Sequence, residues 1–406
     1  MLRFSTKTPY IFKEPNKIIQ YTDFAPKRIW AMYRHGTRLP GKKIISKYFG
    51  LIDIAEKLQF AKNLTVQEKE LFKNWKPLNI NLEHQKFLTK EGEEELFQLG
   101  DRFRKQFPQL INNESSFTFK YTPTQRTELS AKKFIEGLFQ NDFFDYTLEE
   151  VARDDTILRP YKGCNLWRMN VKKNPRTLIE KNNLIKSQHV TAVINELREI
   201  TQIDFLDFKD IELIYTICGF ETAWRHHLYK EKSIWCLLFK NEEHLKIMEY
   251  LEDLEYFWVD GPAYEITRKV ACKTVTNMIE LLDPKNNFDK NMTFYFTHSG
   301  TILKLLTFLE LYQDKSNLTA EKIDNERKWQ TSQIDTFSTN IIAILYDSIR
   351  YGPHIQLLHQ EKIINIPNCV MNEHGMCKFE DFKNLYKEKI KECNLTDICD
   401  NRKEEL

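Results

Sequence analysis

The sequence predicts an α/β fold: a mostly parallel sheet covered by helices, with an inserted, mainly helical domain. Three observations lead there. Short, almost continuous apolar runs stop at polar loops, as strands buried on both faces do. Amphipathic helical segments follow those loops at once, the strand–loop–helix order of a parallel sheet. Between about 140 and 260 the pattern turns to helices with few strands.

The elements follow in order. Arg28-Ile29-Trp30-Ala31-Met32-Tyr33 is the first strand, and Gly36 and Pro40 end it. A helix over Glu93–Phe107 puts Leu96, Leu99, Phe103 and Phe107 on one face. Phe117-Thr118-Phe119-Lys120-Tyr121 is a second strand, followed by a Thr-Pro-Thr turn and a helix through Ser130, Phe134 and Leu138. Helices over Arg176–Ile200, Ile211–Tyr229 and His244–Phe257 make the insert. The α/β pattern resumes with a helix over Val270–Leu282, a strand over Met292–Thr297 and a helix over Thr301–Leu311. Asn340–Tyr346 is one more buried strand. The division expected is a core of residues 1–140 and 261–406 around an insert of 141–260. At 406 residues the chain has room for two such units.

Composition narrows the function. With 41% hydrophobic residues the chain can fill a core, and long disorder is excluded. A formal net charge of +2, from 60 basic and 58 acidic residues, offers no global field for nucleic acid or membrane. An anionic partner must therefore be held by a local basic cluster. No run reaches the 18 apolar residues of a membrane span.

Three strand ends carry such polar residues: Arg34, His35 and Arg38 after the first strand, Arg126 after the second, and His298 after the strand at 292–297. In a parallel sheet these loops converge on one crevice at the strand C-ends. Arg126 falls in the first turn of its helix, where free N–H groups and the dipole already favour an anion. Several guanidiniums around one pocket suit phosphate, since each donates paired hydrogen bonds. Neighbouring cations lower the pKa of a histidine among them, and a neutral imidazole nitrogen is a nucleophile. An Arg-His-Gly tripeptide alone is ordinarily a polar loop; the convergence of three loops carries the argument. His226 and His227 read as a solvated helix face, and His374 near Cys377 lacks metal-site spacing.

Eight cysteines at 164, 218, 236, 272, 369, 377, 393 and 399 include no C-x2-C knuckle, which favours disulfides over metal. Sequons at Asn63, Asn113, Asn291, Asn317 and Asn394 and the terminal Lys403-Glu404-Glu405-Leu406, close to a KDEL-type signal, suggest the endoplasmic reticulum lumen or secretion. The N-terminus has no apolar signal-peptide segment, which means either a leader already removed, the favoured reading, or a cytosolic chain.

Arg34-His35-Gly36-Thr37-Arg38-Leu39-Pro40 resembles the R-H-G-x-R-x-P signature of the histidine phosphatases, in their acid-phosphatase and phytase branch. Tyr121-Thr122-Pro123-Thr124-Gln125-Arg126-Thr127-Glu128-Leu129-Ser130-Ala131 is similar to that branch's second basic motif. Glu249–Trp258 followed by Gly261, Phe4–Tyr10 and the KDEL-like end resemble the multiple inositol polyphosphate phosphatases in particular. The likeness covers nearly the whole chain. It implies that His35 attacks phosphorus to form a phosphohistidine, that Arg34, Arg38 and Arg126 bind the phosphate oxygens, and that His298 is a further phosphate donor. It implies no metal and no cofactor. Substrates would be inositol polyphosphates, with 2,3-bisphosphoglycerate a second candidate. Lys42 and Lys43 would contact non-reacting phosphates or belong to a solvated loop.

One departure stands out. The family's second histidine is followed by a carboxylate, as His-Asp or His-Ala-Glu, which protonates the leaving alcohol. Here the stretch is His298-Ser299-Gly300-Thr301. An acid from another loop or a neighbouring substrate phosphate would supply the proton; otherwise the chain is a slow enzyme or a phosphate-binding relative.

Overall fold

The computed structural model describes residues 2–12, 20–112, 115–140, 142–229, 231–286 and 291–400. Among them run the strands β1 (Ala25–Arg34), β2 (Phe117–Tyr121), β3 (Tyr146–Glu150), β4 (Met292–Thr297), β5 (Asn340–Asp347), β6 (His354–His359), β7 (Lys362–Ile364) and β8 (Cys377–Lys378). They form one sheet in the order β3-β2-β4-β1-β5-β6-β7, with β8 on β6. β3, β2, β4 and β1 are parallel. β5 returns antiparallel against β1, and β6, β7 and β8 add antiparallel strands.

Register sets the site. Tyr33 lies beside Phe296, and Phe296 beside Tyr121, so β1, β4 and β2 end level with one another. Because β5 is antiparallel, its first residue Asn340 pairs with Tyr33. The segment entering β5 therefore reaches the same edge of the sheet from the opposite direction.

Side chains alternate across the sheet. Ile29, Ala31, Tyr33, Phe294 and Phe296 pack with Leu96, Leu99, Phe103, Phe134 and Leu138 of the helices Lys90–Gln106 and Gln125–Phe139. Trp30, Met32, Tyr295, Ile341 and Ala343 face the other core, which continues into the helical part of the molecule. There the helices Gln188–Thr201, Phe208–Tyr229 and Glu242–Val259 share apolar contacts with Tyr48, Phe72 and Trp75 from the first eighty residues.

Several boundaries differ from the sequence reading, each for a physical reason. β3 falls inside the stretch assigned to the insert: it is a short edge strand with Glu149 and Glu150 exposed, so it carries little apolar signal. The helix expected over Arg176–Ile200 is three pieces, Pro175–Leu178, Ile179–Ile185 and Gln188–Thr201, because Ser187 is extended at ψ 164° and restarts the helix as its N-cap. The helices Lys42–Tyr48, Leu51–Leu58 and Val66–Asn74, in the stretch assigned to the α/β core, pack against the insert.

The cysteines pair as Cys164–Cys399, Cys218–Cys236, Cys272–Cys393 and Cys369–Cys377, the disulfides that the spacing favours. The acidic stretch Glu249–Trp258 has a structural task. Its Glu249, Glu252 and Asp253 hold Arg3, Lys7 and Arg327, docking the buried segment Phe4–Thr8 against the helix. Asn113, the terminal Lys403–Leu406 and the side chains of His226 and His227 lie outside the described residues. No helix among the described residues is long and apolar enough to cross a membrane.

Candidate active site

The loop after β1 is shaped by contact that only glycine permits. A Cβ on Gly36 would lie 2.4 Å from Gly92 O, and one on Gly92 would lie 2.2 Å from Thr37 O. The loop thus lies directly on the first turn of the helix Lys90–Gln106. The buried carboxylate of Glu95 fixes it further, accepting hydrogen bonds from Thr37 N at 2.8 Å, Thr37 Oγ1 at 2.7 Å and Ser338 Oγ at 2.6 Å.

His35 projects from this loop and is almost fully buried. Its Nδ1 lies 2.9 Å from Gly36 O. A carbonyl can only accept, so Nδ1 carries the hydrogen and Nε2 keeps its lone pair. The His298 ring, at the C-end of β4, is 5.5 Å away between centroids. Arg126 Nη2 donates to His298 Nδ1 at 3.2 Å, which leaves the hydrogen on His298 Nε2, facing Thr122 Oγ1 at 2.9 Å. Burial lowers the pKa of both histidines well below 6.5; Arg126, Arg34 and Arg38 add to it at His35, and Arg126 and Arg159 at His298. Both rings are neutral.

The predicted residues of three separate loops therefore meet. Arg34 is buried with Nη1 on Asp335 O (2.6 Å) and Thr336 O (3.0 Å), and its guanidinium lies over the Phe337 ring. Arg38 Nη1 donates to Leu39 O, and its guanidinium faces Phe220. Burial, then the neighbouring guanidiniums, lower the pKa of Arg38; burial and Arg159 do the same at Arg126. Lys42 and Lys43 are not part of this cluster: both are exposed, on the first turn of the helix Lys42–Tyr48 rather than on a loop.

The sequence reading did not find a fourth guanidinium, Arg159. It lies among the cations next to Arg126 and His298 and is buried. Its loop hangs from the walls by hydroxyls: Thr297 and Thr301 donate to Leu158 O at 2.5 and 2.6 Å, and Thr274 to Ile157 O at 2.8 Å. Asp155 Oδ1 accepts from Ile157 N and Leu158 N. The same loop bears Tyr161, Lys162 and the disulfide-bonded Cys164. Lys86 and Lys162 form an outer rim; burial lowers both, followed by Arg38 and Arg126 at Lys86 and by Arg159 at Lys162. The one sequence signal was the basic, Pro- and Gly-bounded turn Arg159-Pro160-Tyr161-Lys162-Gly163. Two carboxyls, Asp260 and Asp335, also approach the residues after His298. Beside Arg38 a cavity of about 400 Å³ opens between the N-terminal segment and the helical part, lined among others by Thr6, Lys7, Lys47, Lys181 and Tyr256.

Four guanidiniums, those of Arg34 and Arg159 buried and those of Arg38 and Arg126 half-buried, surround two neutral imidazoles; with Nε of Arg34, Arg126 and Arg159 free of protein hydrogen bonds, they make a receptor for a multiply charged oxyanion. Among the described residues no group of three or more His, Cys, Asp or Glu is placed to hold a metal ion.

Comparison with known proteins agrees. Over 95% of this chain and 85% of its own length, the Drosophila melanogaster multiple inositol polyphosphate phosphatase 1 is 28% identical. The Homo sapiens protein of that name is 23% identical over 92% of this chain and 82% of its length. The crystal structure of a phytase from D. castellii superposes with a TM-score of 0.80 at 17% identity, covering 98% of this chain and 86% of that one. Bifidobacterium longum multiple inositol polyphosphate phosphatase in complex with inositol hexasulfate gives 0.71 at 14% identity, over 94% and 96%. The model of the histidine phosphatase superfamily, branch 2, matches residues 27–360, and the chain belongs to that family.

Proposed function

We propose that the protein is a phosphomonoesterase that removes phosphates from inositol polyphosphates through a phosphohistidine on His35. The observation that carries this is the His35 ring itself. Gly36 O holds Nδ1, and Nε2 is left as a neutral nucleophile among the guanidiniums of Arg126, Arg34 and Arg38. Binding an anion alone would need the arginines but no such nitrogen.

In this reading Arg34, Arg38, Arg126 and Arg159 bind the transferring phosphoryl group and the charge that develops on it. The role of His298 needs one refinement. Its Nε2–H is taken by Thr122 Oγ1 and its Nδ1 accepts from Arg126, so to donate to a phosphate oxygen through Nδ1 the ring must first be protonated. A bound dianion favours that proton. The rim lysines Lys86 and Lys162, and not Lys42 or Lys43, suit the non-reacting phosphates of a polyphosphate. The inositol hexasulfate complex of the B. longum relative supports a six-membered polyanionic ring as the ligand. Four disulfides favour an oxidising compartment, which with the KDEL-like tail fits the endoplasmic reticulum lumen or secretion.

The test is phosphate release from inositol hexakisphosphate between about pH 4 and 8, with labelled substrate quenched without acid. Label should appear on His35 and be absent from His35→Ala. Full activity in His35→Ala would end the proposal. The absence of a carboxylate at residue 300 favours a second reading, a relative that binds phosphates and turns them over slowly. Tight inhibition by inositol hexasulfate without phosphate release would select it.

A further inference from the structure

Transfer of a phosphoryl group from an alkyl ester needs a proton for the departing oxygen. The two residues after His298 are Ser and Gly. Ser299 opens the helix Ser299–Phe308, is partly exposed, and its Oγ is hydrogen-bonded to Asp335 Oδ2. Asp335 is fully buried, at the C-cap of the short helix Thr331–Ile334 that leads toward β5. Its Oδ1 lies 3.6 Å from Arg34 Nη1, too far for a hydrogen bond, and has no hydrogen-bond partner among the described residues. Arg34 directs that Nη1 instead to the backbone carbonyls of Asp335 and Thr336. The groups that face the carboxyl are Arg34 from β1, Ser299 from the helix after β4 and Asp260 from the end of the helix Glu242–Val259. A buried carboxyl so placed is easier to keep as the neutral acid than as an anion.

We infer that Ser299 delivers the leaving-group proton and that Asp335 resupplies it from behind, the pair standing in for the carboxylic acid missing after His298. This rests on the phosphohistidine reading above. The Ser299 side chain starts one residue from His298, at the strand-end crevice, and Asp335 closes on it from the antiparallel side. In the first step the lone pair of His35 Nε2 forms the N–P bond. The P–O ester bond breaks and its electron pair goes to the alkyl oxygen. That oxygen takes the Ser299 Oγ proton while Oγ takes the proton of Asp335 Oδ2, leaving a carboxylate. In the second step a water oxygen bonds to phosphorus, its proton returns through Ser299 to Asp335, and the N–P electron pair returns to Nε2. Inorganic phosphate leaves and the pair is restored. Ser299 is thus the catalytic group and Asp335 acts through it. Burial supports the assignment, pushing the Asp335 carboxyl up to about 7 against the opposing pull of Arg34 and the Ser299 hydroxyl.

Asp260 is the competing carboxyl. A Cβ on Gly300 would lie 3.3 Å from its Oδ1. That oxygen, however, is hydrogen-bonded to Lys304 Nζ, whose side chain is fully buried and needs a counter-ion. Asp260 is that counter-ion.

The experiment compares turnover of inositol hexakisphosphate with that of p-nitrophenyl phosphate, whose leaving group departs without a proton. Ser299→Ala and Asp335→Asn should each slow the inositol ester by about 10²–10⁴-fold, with a loss at least tenfold smaller on the aryl ester. The fall of the inositol-ester rate above about pH 7 should vanish in Asp335→Asn, an effect that a merely structural role would not produce. Should Asp335→Asn fail to fold, Ser299→Thr decides: it keeps a hydroxyl and must retain the inositol-ester rate that Ser299→Ala loses. An unchanged ratio of the two esters in Ser299→Ala and Asp335→Asn overturns the relay, as does a selective loss in Asp260→Asn instead. A wild type that hydrolyses neither ester overturns the phosphatase reading as well.

Discussion

The pocket has two walls built on different principles. The loop bearing Arg34, His35 and Arg38 is fixed by backbone approach: Gly36 and Gly92 touch where no side chain fits, and Glu95 accepts three hydrogen bonds beneath. The opposite wall, the loop of Arg159 and Tyr161, is hung from threonine hydroxyls and tied at its end by Cys164–Cys399. A wall held by close packing fails as a whole when one atom is added. One suspended by separate hydrogen bonds yields in steps of about 0.5–1.5 kcal/mol each. His35, the proposed nucleophile, sits on the first kind with Arg34 and Arg38, and Arg159 on the second.

That contrast can be broken most directly at Gly92. Gly92→Ala places a Cβ against the backbone of Thr37, so thermal denaturation should show a loss of about 1–3 kcal/mol or more, and vanadate inhibition should disappear with it. An unchanged melting temperature would show that the first wall adapts. Arg159→Ala should leave the melting temperature nearly in place yet raise the inhibition constant for phosphate about 10–100-fold, the value of about 1.5–3 kcal/mol for a charged hydrogen bond. If it unfolds the protein, the second wall is structural and the contrast fails.

Cys164→Ser combined with Cys399→Ser frees that wall without touching its arginine. The chain should lose about 2–4 kcal/mol of stability, while phosphate inhibition weakens less than in Arg159→Ala. A larger loss of inhibition than Arg159→Ala itself would mean that the disulfide positions more than Arg159.

pH gives a smaller and sharper reading. Both histidines titrate below 6.5 in the folded protein, so the unfolded chain binds more protons as pH falls under that value. Their contribution to stability is therefore present above about pH 6.5 and is lost progressively below it. Inorganic phosphate should raise the His298 pKa, seen by NMR of the ring protons; no shift would remove His298 from the phosphate site. The least effect belongs to Lys86→Ala, whose exposed rim position predicts less than about 1 kcal/mol and a dependence on ionic strength.

Much of the first wall was legible because it is local. Arg34 ends a strand whose apolar run announces itself, His35 to Pro40 follow at once in its loop, and Arg126 follows a strand of the same kind. Arg159 and Asp335 were not legible, since neither neighbours the motifs in sequence and each arrives by tertiary return: one on a loop after an edge strand, the other just before β5, whose antiparallel direction its apolar run does not reveal. Lys42 and Lys43, adjacent to the motif in sequence, are exposed on the first turn of a helix, the solvated position that is one of the two readings offered for them. Gly300 lies within the first turn of a helix, where a longer side chain would meet Asp260 and Tyr161.

The disulfide that anchors Arg159 also sets an order in time. Cys164 cannot find Cys399 until some 235 further residues have been translated. β4, His298, β5 and Asp335 all lie within that interval. A nascent chain can display the Arg34–Pro40 loop early, but the covalent lock on the facing wall awaits residue 399. Premature termination before that residue would therefore release a protein with its Arg34–Pro40 loop present and its Arg159 loop unlatched.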